Sequence, residues 1–201
     1  DNMSILGLTI DYGPYGWLEP YEPGWTPNTT DFTNYRYAFG QQPQVVLWNL
    51  TQLAQALTPL VPDAELLRPA LNQYVATFNR SHHARLLAKL GLTASASEEA
   101  DKQLVGSLLP ALEAARVDMT LFYRHLSHLA PRLLAAEPVD QLATELLNAV
   151  SYAAPEAVDE AAPLRAWLGQ YALRLRQEPA MPEAIRAGML ARNPKYVLRN
   201  Y

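Results

Sequence analysis

From about residue 44 onward, apolar residues recur at the three- and four-residue spacing of an α-helix, and this periodicity constrains the fold more than any other feature. Val46, Leu50, Leu53, Ala54 and Leu57 share helical spacing, and Pro59 stops that segment. A second helix is predicted to open at Asp63, with Pro69 early in it, and to carry Leu67, Leu71, Tyr74, Val75 and Phe78. Residues 84–90 read as a short helix ended by Gly91, with His82 and His83 as a polar boundary before it. Ser95 and Glu98 have the spacing of a capping box, opening a helix to about Ala115. Asp118 is a candidate cap for a helix through Leu129, and further helices are predicted near 139–150, 163–177 and 182–191. Val45, Leu47 and Trp48 make the first helix apolar on more than one face. That pattern predicts a helix buried at the centre of the body, with Trp48 in the core. The resulting fold class is mainly α, a helical bundle with no internal repeat of fixed period.

Residues 1–43 have a different texture. Asp11-Tyr12-Gly13-Pro14-Tyr15-Gly16-Trp17, Pro20, Pro23-Gly24-Trp25 and Pro27 form clusters that mark turns and ordered loops. Gly supplies positive φ there and Pro fixes φ. Residues 5–10 suit a short strand or β-hairpin, with Gly7 as turn or bulge. Trp17 and Trp25 are read as packing within this loop rather than as a wall facing a substrate. The chain therefore divides into a loop-rich segment over 1–43 and a helical domain over 44–201.

Length and composition bound the function classes. The chain has 201 residues, 49% of them hydrophobic, which suits one domain with a packed core. A net charge of −4 with no basic run argues against a nucleic-acid partner. No apolar stretch is long enough for a transmembrane helix, so no membrane partner is expected. The sequence contains no cysteine, which excludes disulfides, thiolate metal sites and a thiol nucleophile within it. That composition fits a reducing compartment, and the expected setting is the bacterial cytoplasm. Both ends run in apolar-patterned segments, where a domain edge is usually polar, so both are expected to lie within a longer protein.

The candidate chemistry sits at the start. Asp1 and Asn2 lie at one end of the apolar segment 5–10 and Asp11 at the other. If the segment folds back at Gly7, the Asn2 carboxamide and the Asp11 carboxylate converge. Hard oxygen ligands of this kind suit Mg²⁺. Asp1 is left beside the metal as a carboxylate able to accept a proton. The roles parallel a kinase centre, although kinases separate the catalytic Asp from the Asn by four residues and here the two adjoin. On spacing alone, a strand ending in turn-favouring Asx residues remains the alternative.

Asp1-Asn2-Met3-Ser4-Ile5-Leu6-Gly7-Leu8-Thr9-Ile10-Asp11-Tyr12-Gly13-Pro14, then Tyr21-Glu22-Pro23-Gly24 and the stretch from Gln41 to Leu50, resemble the SelO family. The closing run from Asn193 to Asn200 is similar to that family's late motif. The resemblance is dense over the first fifty residues and the last ten. It implies the C-lobe portion of a protein-kinase-like fold that binds ATP in an inverted pose. The implied reaction moves AMP, rather than phosphate, to Ser, Thr or Tyr hydroxyls of protein substrates, with Mg²⁺ or alternatively Mn²⁺. By position, Asp1 matches the proton acceptor, Asn2 one metal ligand, and Asp11 the second metal ligand in contact with ATP. A kinase-like phosphotransferase and a non-catalytic helical binding module are the alternative functions. Many relatives carry a Cys where Pro27 stands here, which puts a redox switch in doubt. The Gly-rich loop, the ATP-contacting Lys and its Glu partner would lie upstream of Asp1.

The remaining polar residues have plainer readings. His125 and His128, three apart on one helix, lack an apparent third metal ligand and read as surface or core-edge residues. Lys195 and Arg199 read as a solvated helix face.

Overall fold

The computed structural model describes residue 4 and residues 16–27, 31, 33–61, 63–153 and 158–196. Among these, seven α-helices follow one another: α1 (Gln42–Ala56), α2 (Arg68–Lys89), α3 (Glu98–Ala114), α4 (Met119–Leu134), α5 (Val139–Val150), α6 (Val158–Leu175) and α7 (Pro182–Arg192). Short 3-10 turns at Phe39–Gln41 and Ala64–Leu66 precede α1 and α2. The mainly α fold class holds. The hairpin expected over 5–10 lies outside the described residues.

Contacts divide the chain into two compact units, one of residues 1–18, 23–82 and 200–201, the other of residues 19–22 and 83–199. The larger unit holds α3 to α7 and a dense core. Helix α4 packs on α7, α5 and α6, and α3 packs on α6. Phe122, Tyr123, Leu126 and Leu133 from α4 and Leu164, Trp167, Leu168 and Tyr171 from α6 are all buried. Trp167 and Tyr171 stack with centroids 5.1 Å apart, and Phe122 meets Trp167 edge-on at 5.9 Å. The polar handles of Trp167 and Tyr171 are both matched. Trp167 Nε1 donates to the Leu104 carbonyl at 2.8 Å, and the Tyr171 hydroxyl donates to the Leu90 carbonyl at 2.8 Å. These two large aromatics therefore fill the core without leaving a donor stranded.

Local chemistry explains several helix ends. Asp118 caps α4 as expected, its Oδ1 accepting the Leu121 amide at 2.9 Å. The same stretch joins three extended pieces of chain: Pro20 and Asp118 form one isolated bridge, Val117 and Ser151 another. Gly91 has φ +72°, and a Cβ there would stand 2.8 Å from Ile185 and Met189. Glycine is thus required twice over, by the left-handed turn after α2 and by close approach of α7.

Five expectations are corrected. The predicted break at His82 and His83 does not occur, because α2 runs unbroken from Arg68 to Lys89. No Gly or Pro interrupts 79–83, so that polar run is a helix face. The cap of α3 is Ser97, whose side chain accepts from the Ala100 amide, and not Ser95. Ser95 instead donates its amide to Asp101 Oδ2 at 2.7 Å. Helix α4 continues past Leu129 and Pro131 to Leu134, and α6 opens at Val158, earlier than 163. Lastly, α1 is not buried at the centre. It contains no buried residue, and Trp48 is 44% exposed. The described core gathers instead on α3 to α6, with its largest aromatic side chains on α4 and α6.

Candidate functional site

Asp1, Asn2 and Asp11, the residues expected to carry the chemistry, all lie outside the described residues. The donor set remains chemically coherent: a carboxamide oxygen and a carboxylate are hard ligands that fit Mg²⁺, which keeps waters at its other positions. The described residues show how the segment just after them is built.

Within the smaller unit, Pro23 and Trp25 anchor the loop before α1 to the start of that helix. The Gly40 amide donates to the Pro23 carbonyl at 2.8 Å, and the Phe39 amide donates to the Trp25 carbonyl at 3.0 Å. Gly40 approaches so closely that a Cβ would meet Pro23 at 3.1 Å. Trp25 lies across Gly16, where a Cβ would fall 2.5 Å from the indole ring. Trp25 therefore packs the loop, as expected from its setting among Gly and Pro. Gln42 donates from its side chain to the carbonyls of Tyr37 and Ala38, both at 3.1 Å, tying the approach to α1. The Tyr74 hydroxyl donates to the Pro43 carbonyl at 3.0 Å, which joins α2 to the first turn of α1.

A groove of about 270 Å³ runs beside α1, lined by Asn34, Arg36, Gln41, Gln44, Val45 and Trp48. Arg36 lies 4.9 Å from the centre of the Trp48 ring and 3.6 Å from Asp31. Asn34 donates to Asp31 Oδ1 at 2.9 Å, so Asp31 organises the groove's edge.

The larger unit carries two polar clusters that sequence patterns did not expose. Arg174 donates Nε to Asp101 at 2.8 Å and Nη1 to Glu178 at 2.7 Å, while its Nη2 reaches the Thr93 carbonyl. Glu178 accepts from the Thr93 amide and hydroxyl at 3.0 and 2.9 Å. Arg174 thus clamps the 92–97 connection onto α6. A groove of about 460 Å³ adjoins this clamp, between the start of α3 and the end of α6. In the second cluster, Lys89 Nζ donates to Asn193 Oδ1 at 2.7 Å and lies 4.2 Å over the Tyr123 ring. Burial pulls the Lys89 ammonium below its ordinary range. Asn193 is buried and returns a bond from Nδ2 to the Lys89 carbonyl at 2.9 Å. Asn193 opens the late motif, and its position gives that motif a structural role, since it locks the end of α7 to the end of α2. The only sequence signal for it was the family resemblance. Lys195 lies 5.0 Å over the Tyr196 ring, and Arg199 is outside the described residues. His128 is held below its ordinary value by burial first, then by Arg186, Arg124 and His125. Among the described residues no group of three or more His, Asp or Glu side chains is placed to hold a metal.

A family model described as protein adenylyltransferase SelO matches residues 1–201. The chain belongs to the SelO family. A protein of Xanthomonas axonopodis pv. citri named protein nucleotidyltransferase YdiU is 47% identical over 201 residues, all of this chain and 37% of that protein. A protein of the same name from Rhodopirellula baltica is 47% identical over 207 residues, all of this chain and 38% of the relative. Another, from an Azoarcus species, is 46% identical over 201 residues, again all of this chain and 37% of the relative. The SelO-family chain thus spans a little over a third of the length of these curated relatives, and the matched part includes the segment that carries Asp1, Asn2 and Asp11.

Proposed function

We propose that the full-length protein containing this chain is an adenylyltransferase that moves AMP from ATP to Ser, Thr or Tyr hydroxyls of proteins. The observation that carries the reading is the family match over residues 1–201, which takes in the Asp1-Asn2 pair and Asp11. In this reading residues 1–43 form the catalytic and metal-binding segment, 44–201 form its helical support, and the whole belongs to a protein-kinase-like fold. Asn2 and Asp11 hold Mg²⁺, or Mn²⁺ in its place, with Asp11 also against ATP. When bound, the cation supplies charge neutralisation for the triphosphate. Asp1 accepts the proton of the acceptor hydroxyl as its oxygen bonds to the α-phosphorus and pyrophosphate departs. A bacterial cytoplasmic setting accords with ATP as substrate, and neither a nucleic acid nor a membrane has a role.

The test is label transfer from ATP to protein by the full-length enzyme with Mg²⁺ present. Label from the α-position and none from the γ-position is expected. Label from the γ-position alone would make the enzyme a kinase-like phosphotransferase, since the same ligand types serve that chemistry. No label from either, in a folded protein, would leave a binding module.

A further inference from the structure

Within the larger unit, helix α4 carries Arg124, His125, His128 and Arg132 and no Asp or Glu, in a chain whose net charge is −4. Arg132 is matched, because Glu137 and Glu145 pair with it at 2.9 and 2.8 Å. The other three are not. Arg124 directs Nη1 to the carbonyls of Asn193 and Leu190, at 3.1 and 3.5 Å, and meets no carboxylate among the described residues. Carbonyls at the end of α7 hold about half a negative charge at most, so a net positive charge remains. His125 and His128 are exposed beside it. The guanidinium groups of Arg186, on α7, and of Arg124 act on His128 together with the His125 imidazole, and no carboxylate from α5, α6 or α7 is among the groups that do. Glu183 takes the Nε of Arg186 at 2.8 Å, but its side chain is 71% exposed, so it offsets little of that field. Repulsion among these cations is relieved when an anion binds between them.

We propose that the seam between α4 and α7 formed by Arg124, His125, His128 and Arg186 docks an acidic segment of a partner protein, one whose Asp or Glu side chains alternate along an extended stretch. The two helices pack against each other in antiparallel register. Arg124 reaches Leu190 and Asn193 near the end of α7, while Arg186, one turn earlier on α7, acts on His128, one turn later on α4. That turn separates Arg124 from His128 by about 6 Å along the axis. Side chains two apart on an extended chain stand about 7 Å apart on one side, so the spacings match. One carboxylate lies by Arg124 and the next between His128 and Arg186. Leu121, 37% exposed and one turn before His125, offers an apolar contact at the end of the seam. A nucleic acid fits poorly, since the cations are too few to follow a phosphate backbone and the chain as a whole is negative. On an acidic chain, this seam attracts an acidic segment that the rest of the surface repels, and that contrast fixes where the segment docks.

The test reads binding to the full-length protein, so its outcome is independent of the adenylyltransferase reading. A labelled octapeptide of alternating Glu and Ala should bind saturably by fluorescence anisotropy and weaken as salt rises. Arg186→Glu and His128→Glu should each reduce its affinity about tenfold. Lys102→Glu, at an exposed position on α3, changes the net charge as much as Arg186→Glu does and should leave the affinity unchanged. In the unmodified protein, NMR titration of the histidines should show the His128 midpoint rising when the peptide is bound, because nearby carboxylates favour the imidazolium. That measurement needs no variant and decides alone if the substituted proteins fail to fold. Four results would overturn the proposal: no saturable binding, an equal loss in Lys102→Glu, an unmoved His128 midpoint, or displacement of the peptide by inorganic phosphate or a single-stranded oligonucleotide at equal concentration.

Discussion

Single residues carry the chemistry and the finest packing decisions. Asp11→Ala in the full-length protein is expected to abolish AMP transfer while leaving the melting temperature nearly unchanged, and Asp11→Asn should fail almost as completely. In the proposed site a carboxamide would keep the shape but lose the charge that would hold the cation against the triphosphate. Asn2→Ala should be milder, since water can take the vacant position on an ion that retains several waters. Label transfer from α-labelled ATP, with calorimetry alongside, checks all three. Two buried tyrosines make a contrasting pair. The Tyr171 hydroxyl is bonded to Leu90, whereas the Tyr123 hydroxyl is buried with no partner among the described residues. Tyr171→Phe should cost about 1 kcal/mol, and Tyr123→Phe should be neutral or stabilising, because removing a stranded hydroxyl ends its desolvation cost. Urea titrations of the two variants decide this, and an equal loss in both would contradict it. Neither difference is legible in sequence, where both are tyrosines at helical spacing. The partner atoms come from elements far along the chain.

At the scale of elements, caps are partly readable from sequence and junctions are not. Asp118 is legible as a cap because an N-cap bond spans three residues of local chain. Ser97 takes the capping role that Ser95 was expected to fill because Asp101 draws the Ser95 amide into the Arg174 clamp, which involves a helix more than seventy residues away. That clamp gives a prediction of its own. The side chains of Asp101 and Glu178 are each 2% exposed, so Arg174→Met would leave two carboxylates enclosed without their cation. A loss of about 3–5 kcal/mol is expected by denaturant titration, the usual range for removing one member of a buried ion pair. Burial works to raise the Asp101 carboxyl, but Arg174 and Ser95 together hold it below its ordinary value of 3.8. The unfolded chain regains the ordinary value and binds a proton more readily. The stability from this group is therefore complete above about pH 4 and is lost as pH falls through the lower folded-state value. Melting temperature followed from pH 7 to pH 2 should show this acid limb in the native chain and a weaker one in Arg174→Met. At the turn between α2 and α3, Gly91→Ala should destabilise by more than the ordinary Gly-to-Ala change, since φ is +72° and the new methyl meets Ile185 and Met189.

For the whole molecule, the uneven distribution of core is the governing fact. Hydrogen exchange on the 201-residue chain should be slowest in α4 and α6, where the aromatic core lies, and fastest in α1, which contains no buried residue. Equal protection in α1 and α4 would contradict that distribution. The sequence by itself determined the mainly α class, the positions of α5 and α7, the cap of α4 and the glycine after α2. Each of these is written in helical periodicity or in contacts within a few residues. It also determined family membership, through strings of residues dense enough to be recognised without any geometry. Only the tertiary structure decided that Asn193 bonds Lys89 and that Trp48 stands exposed beside Arg36. Hydrophobicity states what a side chain prefers to bury. Whether it is buried depends on which distant surface arrives to cover it, and that is a property of the assembled fold.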